Sequence, residues 1–268
     1  MGAAAAQYKN VDLSHGRTRY LEAGDGPAVI LLHGASFASG GDSWLANIGE
    51  LASRLRVLAP DMLGWGPGDQ LDQGYSFAYM ADFVREFQDA IGLESSHVVG
   101  HSMGGWVASV LAYESPQRIG RLVLAASGGM ATRPLPTMTG WQPPGEPEIR
   151  SALAGMERAG IDIEPMVKER LALAGDPERA ERFRRVMEHM TNPETRRRYH
   201  TGRRLPHIPN ETLILWGTDD AVNDLDLARE THRLMPNSKL EVFDGVGHLI
   251  PTEIPGEFNR AVLGFLAP

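Results

Sequence analysis

Hydrophobic positions fall along this chain in two alternating rhythms. Residues 28–32 (Ala-Val-Ile-Leu-Leu), 56–62, 98–99 with their neighbours, 121–126 and 212–217 are short, nearly continuous apolar runs, the pattern of strands covered on both faces. Between them apolar residues recur at helical spacing. Trp44, Leu45, Ile48 and Leu51 form one stripe, with Asp42 or Ser43 as its expected cap. Phe77, Met80, Phe83, Val84, Phe87 and Ile91 form another over 76–92, where core packing is the simplest reading of the aromatics. Residues 8–23 show strand alternation broken at His15-Gly16, which predicts a hairpin with Val11, Leu13 and Tyr20 on one face. Further helices are expected after Ser102, over 224–235 and from near Pro255, with a strand over 239–243. Strands alternating with helices in this way predict an α/β fold: a mostly parallel, eight-stranded sheet with helices on both faces.

The rhythm breaks near residue 131. A stretch rich in proline and glycine runs through Trp141-Gln142-Pro143-Pro144-Gly145, and 148–204 is helical in pattern, with many arginines and the methionines Met156, Met166, Met187 and Met190. The strand–helix alternation returns only at Thr212. Residues 131–207 therefore read as a helical cap inserted into a core formed by 1–130 and 208–268.

Composition narrows the function classes. With 268 residues, 42% hydrophobic and 22% charged, the chain is an ordinary globule able to bury a large core. A net charge of −8 argues against broad nucleic-acid binding and against an anionic membrane surface. Cysteine is absent, which removes disulfides, thiolate catalysis and cysteine metal sites. No apolar run reaches the roughly 18 residues of a membrane span. The opening Met-Gly-Ala-Ala-Ala-Ala lacks the basic start and apolar core of a signal peptide, has Ala6 where myristoylation wants Ser or Thr, and is expected to fray. These features lead to an expectation of a cytoplasmic protein acting on a small molecule. They leave a homodimer open.

The chemistry centres on Gly100-His101-Ser102-Met103-Gly104-Gly105. Gly-x-Ser-x-Gly after a strand and before a helix is the nucleophile-elbow pattern, although alone it also fits an ordinary glycine turn. Side chains at 100 or 104 would collide with the strand or helix packed beside so tight a turn. A serine hydroxyl needs a base, and the base needs a third group to orient it. His248, in Asp244-Gly245-Val246-Gly247-His248, is the best base, and Asp220, in Trp216-Gly217-Thr218-Asp219-Asp220, is the best acid, with Asp219 the alternative. The order Ser, Asp, His is that of the nucleophile-elbow hydrolases, and each residue lies just past the C-terminal end of an expected strand. Oxyanion donors are expected at the backbone N–H of Met103 and, in the loop after the first buried strand, of Ala35, with Ser36 as second choice. His33 reads as a loop-fixing residue. His101, too close in sequence to serve Ser102 as base, reads as a packing or pocket residue, and His97 should lie far from the site.

Leu31-Leu32-His33-Gly34, Asp61-Met62-Leu63-Gly64-Trp65-Gly66, the elbow, Leu215-Trp216-Gly217-Thr218-Asp219-Asp220 and Gly247-His248 together resemble the α/β-hydrolase superfamily, over nearly the whole chain outside the insertion. The resemblance implies the α/β-hydrolase fold, a helical lid over the site, no cofactor, and the second aspartate of the pair as the acid. Within that superfamily the loop 35–41 before Trp44 and Met103-Gly104-Gly105 are similar to meta-cleavage-product hydrolases, which break a carbon–carbon bond in dienoic ketoacids. That likeness implies a lid arginine on the substrate carboxylate, for which Arg170 is the nearest match, one solvated arginine among many being the competing reading. Three departures stand out: His101 where asparagine is usual, Leu249 where tryptophan is common, and Ala46, beside Asn47, where a substrate-contacting asparagine is expected.

The expectation is thus a serine-dependent hydrolase of a partly apolar carbonyl compound, cutting a carbon–carbon bond or a carboxylic ester. Its substrate wall is expected to include Ser36, His101, Trp141, Arg170 and Leu249, with Trp65 and Met103 adding apolar surface. A cofactor-free oxygenase or a small-molecule sensor on the same fold are the rival readings. Fold alone does not decide among them.

Overall fold

The computed structural model describes residues 6–69, 71, 75–134 and 138–267; the alanine-rich start, 1–5, lies outside them. Eight strands form one sheet: β1 (Gln7–Leu13), β2 (Gly16–Ala23), β3 (Ala28–Leu32), β4 (Arg56–Pro60), β5 (Ser96–His101), β6 (Ile119–Ala125), β7 (Thr212–Gly217) and β8 (Ser238–Phe243). Their order is β1-β2-β4-β3-β5-β6-β7-β8. The pairs β1–β2 and β2–β4 are antiparallel and all others parallel, as the unbroken apolar runs require. The expected hairpin is present, and Leu13 and Tyr20 are both buried in the cluster on one sheet face.

Helices α1 (Leu45–Leu51), α2 (Phe77–Ala90), α3 (Met103–Glu114), α8 (Leu225–Leu234), α9 (Ile250–Glu253) and α10 (Pro255–Leu266) flank the sheet. The two faces carry separate cores. Phe77, Met80, Phe83, Val84 and Phe87 of α2 pack on one side with Val98 and Leu124, whereas Trp44, Ile48, Phe258 and Val262 pack on the other with Val99 and Val123. Alternate residues of one strand, Val98 and Val99, thus serve opposite cores, the period-two logic of a strand buried twice. Ser76 caps α2, its hydroxyl accepting from the Tyr79 N–H at 3.0 Å.

One helix start differs from expectation. The chain passes through a short 3-10 turn, Gly41–Trp44, before α1, and Asp42 caps nothing. Its carboxylate is buried and receives both Arg170 Nη2 contacts, at 2.7 and 2.8 Å. Desolvation of a carboxylate is costly, so pairing it takes precedence over capping.

Between β6 and β7 come α4 (Glu146–Arg158), α5 (Glu164–Ala174), α6 (Pro177–Thr191) and α7 (Pro193–Tyr199). Each begins with proline at one of its first two positions, where the missing N–H costs no helical bond. Helices α4 and α5 share a small core of Ile149, Leu153, Met156, Met166 and Val167, while Phe183, Val186, Met187 and Met190 of α6 join the main one.

Candidate active site

Three strand ends converge. β5 leads to Ser102, β7 to Asp220, and β8 to His248. The turn at Ser102 is strained, with φ 54° and ψ −113°, a conformation that costs a non-glycine residue about 1–3 kcal/mol. Its neighbours hold it there. Ser102 N donates to Ala125 O at 3.0 Å, and its own carbonyl accepts from Gly128 N at 2.8 Å. The flanking glycines are sterically compelled: a Cβ on Gly104 would sit 2.2 Å from the Leu32 carbonyl oxygen, and one on Gly100 2.5 Å from Gly104 O.

His248 Nε2 lies 3.0 Å from Ser102 Oγ, and its Nδ1 lies 2.9 and 3.1 Å from the two Asp220 carboxylate oxygens. An acceptor pair at Nδ1 places the proton there, which leaves the Nε2 lone pair facing the serine hydroxyl. The Asp220 side chain is sealed from solvent, and its Oδ1 also accepts from Val222 N and Asn223 N, both at 2.8 Å. Asp219 turns elsewhere: its N–H donates to Val246 O at 2.9 Å and its carboxylate accepts from Thr218 Oγ1. Of the two aspartates, only Asp220 touches the imidazole.

The loop bearing His248 is fixed from several sides. Glu253, at the end of α9, accepts from the N–H groups of Gly247 and Leu249, which flank the histidine. His101 Nε2–H donates to the His248 carbonyl at 2.9 Å, and the two rings lie 5.0 Å apart. Burial pushes the His101 pKa down to about 3, with the neighbouring His248 a lesser contribution, so His101 is neutral. Glu253 escaped the sequence reading because an exposed-looking glutamate on a short helix has no distinguishing pattern.

The loop after β3 carries Ala35 beside the elbow. His33 Nδ1–H donates to Gly34 O at 2.8 Å while its Nε2 accepts from Met62 N at 2.9 Å, tying two strand-end loops together. Burial pushes its pKa down to about 4. Met103 opens α3, where a first-turn N–H has no helical acceptor.

Ala35, Ser102, Met103 and His248 all border one cavity of about 750 Å³, within the roughly 300–1,000 Å³ of small-molecule sites. Ser36, His101, Trp141 and Leu249 are in its wall as well. Trp141 is held by Phe37 and Phe183, with ring centroids 5.5 and 4.8 Å away. The remaining wall is largely apolar, with Trp106, Met138, Ile149, Met187 and Met190, but it also includes Arg133, Glu148 and Arg196, none of which the sequence singled out.

Three residues stand apart from their expected places. Arg170 is neither solvated nor on the cavity wall. It is fully buried, held by Asp42, by the adjacent Glu169 and by the Ala38 carbonyl. Trp65 packs behind the wall, its ring 5.3 Å from Phe183 and 5.5 Å from His33, and its Nε1–H donates to Ser36 O. Asn47 is buried and donates to Pro251 O and Asn259 Oδ1, so it supports α1 against α9 and α10. His97 is absent from the wall, and its Nδ1 accepts from Arg121 N.

Among the described residues no group of histidines and carboxylates is arranged to hold a metal ion, and no helix is long and apolar enough to cross a membrane.

The model of the alpha/beta hydrolase family matches residues 29–261. A 2-hydroxy-6-oxo-6-phenylhexa-2,4-dienoate hydrolase of Burkholderia cepacia is 32% identical over 270 residues, 95% of this chain and 93% of its own length. A 2-hydroxymuconate semialdehyde hydrolase of Pseudomonas putida is 30% identical, over 94% of this chain and 91% of its own. Among solved structures, the meta-cleavage product hydrolase CumD of Pseudomonas fluorescens IP01 superposes with a TM-score of 0.80 at 27% identity, covering 96% of each chain. With its sheet order, its elbow and these relatives, the chain belongs to the α/β-hydrolase family and is a hydrolase close to the carbon–carbon bond hydrolases within it.

Proposed function

We propose that the protein is a serine-dependent hydrolase whose Ser102 attacks the carbonyl carbon of a small, partly apolar substrate. The observation that carries the proposal is the unbroken chain of contacts from Ser102 Oγ through the His248 ring to Asp220. His248 Nε2 takes the serine proton as the C–O bond forms and returns it to the leaving group; Asp220 holds the tautomer and stabilises the imidazolium. The N–H groups of Met103 and Ala35 receive the oxyanion, each worth about 3 kcal/mol of transition-state stabilisation. Water, activated by His248 in turn, releases the acyl group. Residues 131–207 act as the cap that closes the cavity and excludes bulk water.

The relatives support a vinylogous 1,5-diketone from aromatic ring cleavage as substrate, with carbon–carbon bond hydrolysis as the reaction; His248 is then also the proton carrier for ketonisation. A carboxylic ester is the second reading. It is favoured by Leu249 on the wall and by the burial of Arg170 against Asp42, which keeps that one guanidinium off the cavity wall.

A spectrophotometric screen of p-nitrophenyl esters beside a ring-cleavage dienoate, comparing the protein with its Ser102→Ala variant, tests the proposal. Turnover abolished by Ser102→Ala and labelling of Ser102 by a fluorophosphonate are expected. Oxygen-dependent turnover that survives Ser102→Ala would replace it with the oxygenase reading, and tight ligand binding with no labelling would replace it with the sensor.

A further inference from the structure

The two edges of the sheet are finished differently. β8 is the last strand in the order, and among the described residues no backbone group bonds its outer side. Such an edge is a template for a further strand. Which of its groups face outward follows from the bonds to β7: Thr212 N donates to Asn237 O and Thr218 N to Phe243 O, both at 2.9 Å. In this parallel ladder the odd-numbered residues of β8 therefore bond β7, and Ser238, Leu240 and Val242 turn their N–H and C=O groups away from it.

Side chains alternate with the same period. Leu240 packs with the core on the α8 face and Phe243 with the core on the α10 face. Lys239 and Glu241 share the face of Phe243; both are exposed, and among the described residues neither has an ion partner. Val242, on the other face, is 41% exposed. The other exposed large apolar side chains have an evident use: Val222 and Leu249 border the cavity, and Tyr8 and Tyr113 each lie under an arginine. At the opposite edge β1 uses its charges within the chain, Lys9 pairing with Glu22 at 2.8 Å and Asp12 with Arg17 at 3.8 Å.

Two copies of β8 can pair antiparallel about a two-fold axis only where outward groups meet outward groups, so the register slips by two residues at a time. Centred on Leu240, that residue faces its own copy and Ser238 faces Val242, each pair exchanging both N–H···O bonds. Lys239 of each copy then faces Glu241 of the other, in the pairs without hydrogen bonds, where Cα atoms lie about 4.5 Å apart and side chains meet most closely. Centred one residue earlier, Lys239 faces Lys239; centred one later, Glu241 faces Glu241. Like charges directly opposed are destabilising. One register is thus favoured by charge and its neighbours are opposed.

We propose that β8 is a self-pairing edge, at which two copies of this chain join, antiparallel and centred on Leu240, into one continuous sheet. The occupant is a second copy because the charge pattern is its own complement under two-fold rotation, a match that a foreign strand would meet only by coincidence. No residue of β8 borders the cavity, so the inference stands apart from the reaction at Ser102.

Sedimentation velocity over a dilution series tests this, with circular dichroism to verify folding. The unaltered protein is expected to dimerise reversibly. Glu241→Lys and Lys239→Glu each set like charges opposite one another in both pairs and should weaken the dimer about 10- to 100-fold. Mixed in equal amounts, the two variants should regain a dimer, since every opposed pair is then of opposite sign; the double variant Lys239→Glu/Glu241→Lys should do so alone. Val242→Pro removes an N–H that bonds nothing within the chain and should weaken the dimer with little change in melting temperature. Lys239→Ala and Glu241→Ala should each give a smaller loss, and they decide the matter if a reversed variant does not fold. A protein monomeric at every dilution would overturn the proposal and leave the edge to solvent or to a foreign strand. A dimer indifferent to both reversals, or one that mixing does not restore, would overturn it equally and put the interface on another face.

Discussion

The imidazole of His101 donates from Nε2 to the backbone carbonyl of His248, the residue whose ring faces Ser102. A carbonyl only accepts, so that nitrogen must carry the proton and the ring must be neutral if its other nitrogen does not. Burial, which holds the His101 pKa near 3, ensures it. The residue before the nucleophile thus positions the base through its main chain, 147 residues away in sequence.

Neutral buried histidines make stability fall in acid. His101 and His33 have folded pKa values of about 3 and about 4, against an ordinary 6.5. Below pH 6.5 the unfolded chain takes up protons that the folded chain refuses, so each group costs about 1.4 kcal/mol per pH unit until its folded pKa is reached. The lesser depressions at His15, His97 and His189, all caused chiefly by burial, act in the same sense. Urea midpoints should fall between pH 6.5 and 4.5, before ordinary carboxylates titrate, and His101→Asn should reduce the slope. A midpoint flat over that window would show that these rings are not held neutral by the fold.

The two adjacent aspartates can be separated by experiment. Only Asp220 reaches His248, so Asp220→Asn should lower kcat by about 10⁴, as loss of the orienting carboxylate does in serine hydrolases generally. Asp219→Asn should stay within a few-fold, since among the described residues its carboxylate accepts a hydrogen bond from Thr218 and none from His248. Pre-steady-state assays on a p-nitrophenyl ester distinguish the acylation step from background hydrolysis. Equal loss in both variants would mean that the loop, not the carboxylate, matters.

Much of this arrangement is legible in the sequence because it is local. β7 spans Thr212–Gly217, the run its continuous apolar residues mark out, and glycines at 100 and 104 announce the close approaches that the elbow makes. What escapes is pairing across the chain. Asp42 looks like a helix cap and Arg170 like one more solvated lid arginine, because nothing within a few residues of either reveals that they meet 128 positions apart. Arg196 is hidden in the same way: it sits in Arg196-Arg197-Arg198, a charge run that reads as a wet surface, and only the fold shows its first member turned inward over Trp106.

Glycine substitutions should divide sharply by location. A Cβ at Gly104 meets the Leu32 carbonyl at 2.2 Å, and backbone cannot rotate away, so Gly104→Ala should unfold the elbow or abolish fluorophosphonate labelling. Gly49 lies exposed within α1 with nothing within 4 Å of its added methyl. Gly49→Ala should therefore leave activity unchanged and stabilise by about 0.5–1 kcal/mol, since alanine is the better helix former. Thermal melts of the two proteins, read beside their labelling, test whether the elbow's geometry or general helix content governs the site.

The buried pair Arg170–Asp42 joins α5 to the loop after β3, and Arg19 extends it by bonding Asp61 at 2.7 Å and Glu169 at 2.5 Å. Asp61 in turn accepts from Gly41 N at 2.8 Å, so the network reaches the backbone beside Asp42. Both members of the central pair are sealed from solvent, with side-chain exposures of 0% and 2%. Removing Arg170 strands Asp42, and a stranded buried charge costs about 3–5 kcal/mol, whereas removing Asp42 leaves Arg170 its pairing with Glu169. Arg170→Met is expected to destabilise by that order and Asp42→Leu by less, and the double variant by less than their sum, because it leaves no Asp42 charge unpaired. Since α5 packs on α4 and α6, both of which border the cavity, the single variants should also raise KM for p-nitrophenyl hexanoate more than they lower kcat. A double variant whose loss equals the sum of the singles would mean that the two charges are stabilised independently, by the surrounding Glu169 and Asp61 network and its backbone donors, and that the cap is attached by packing alone.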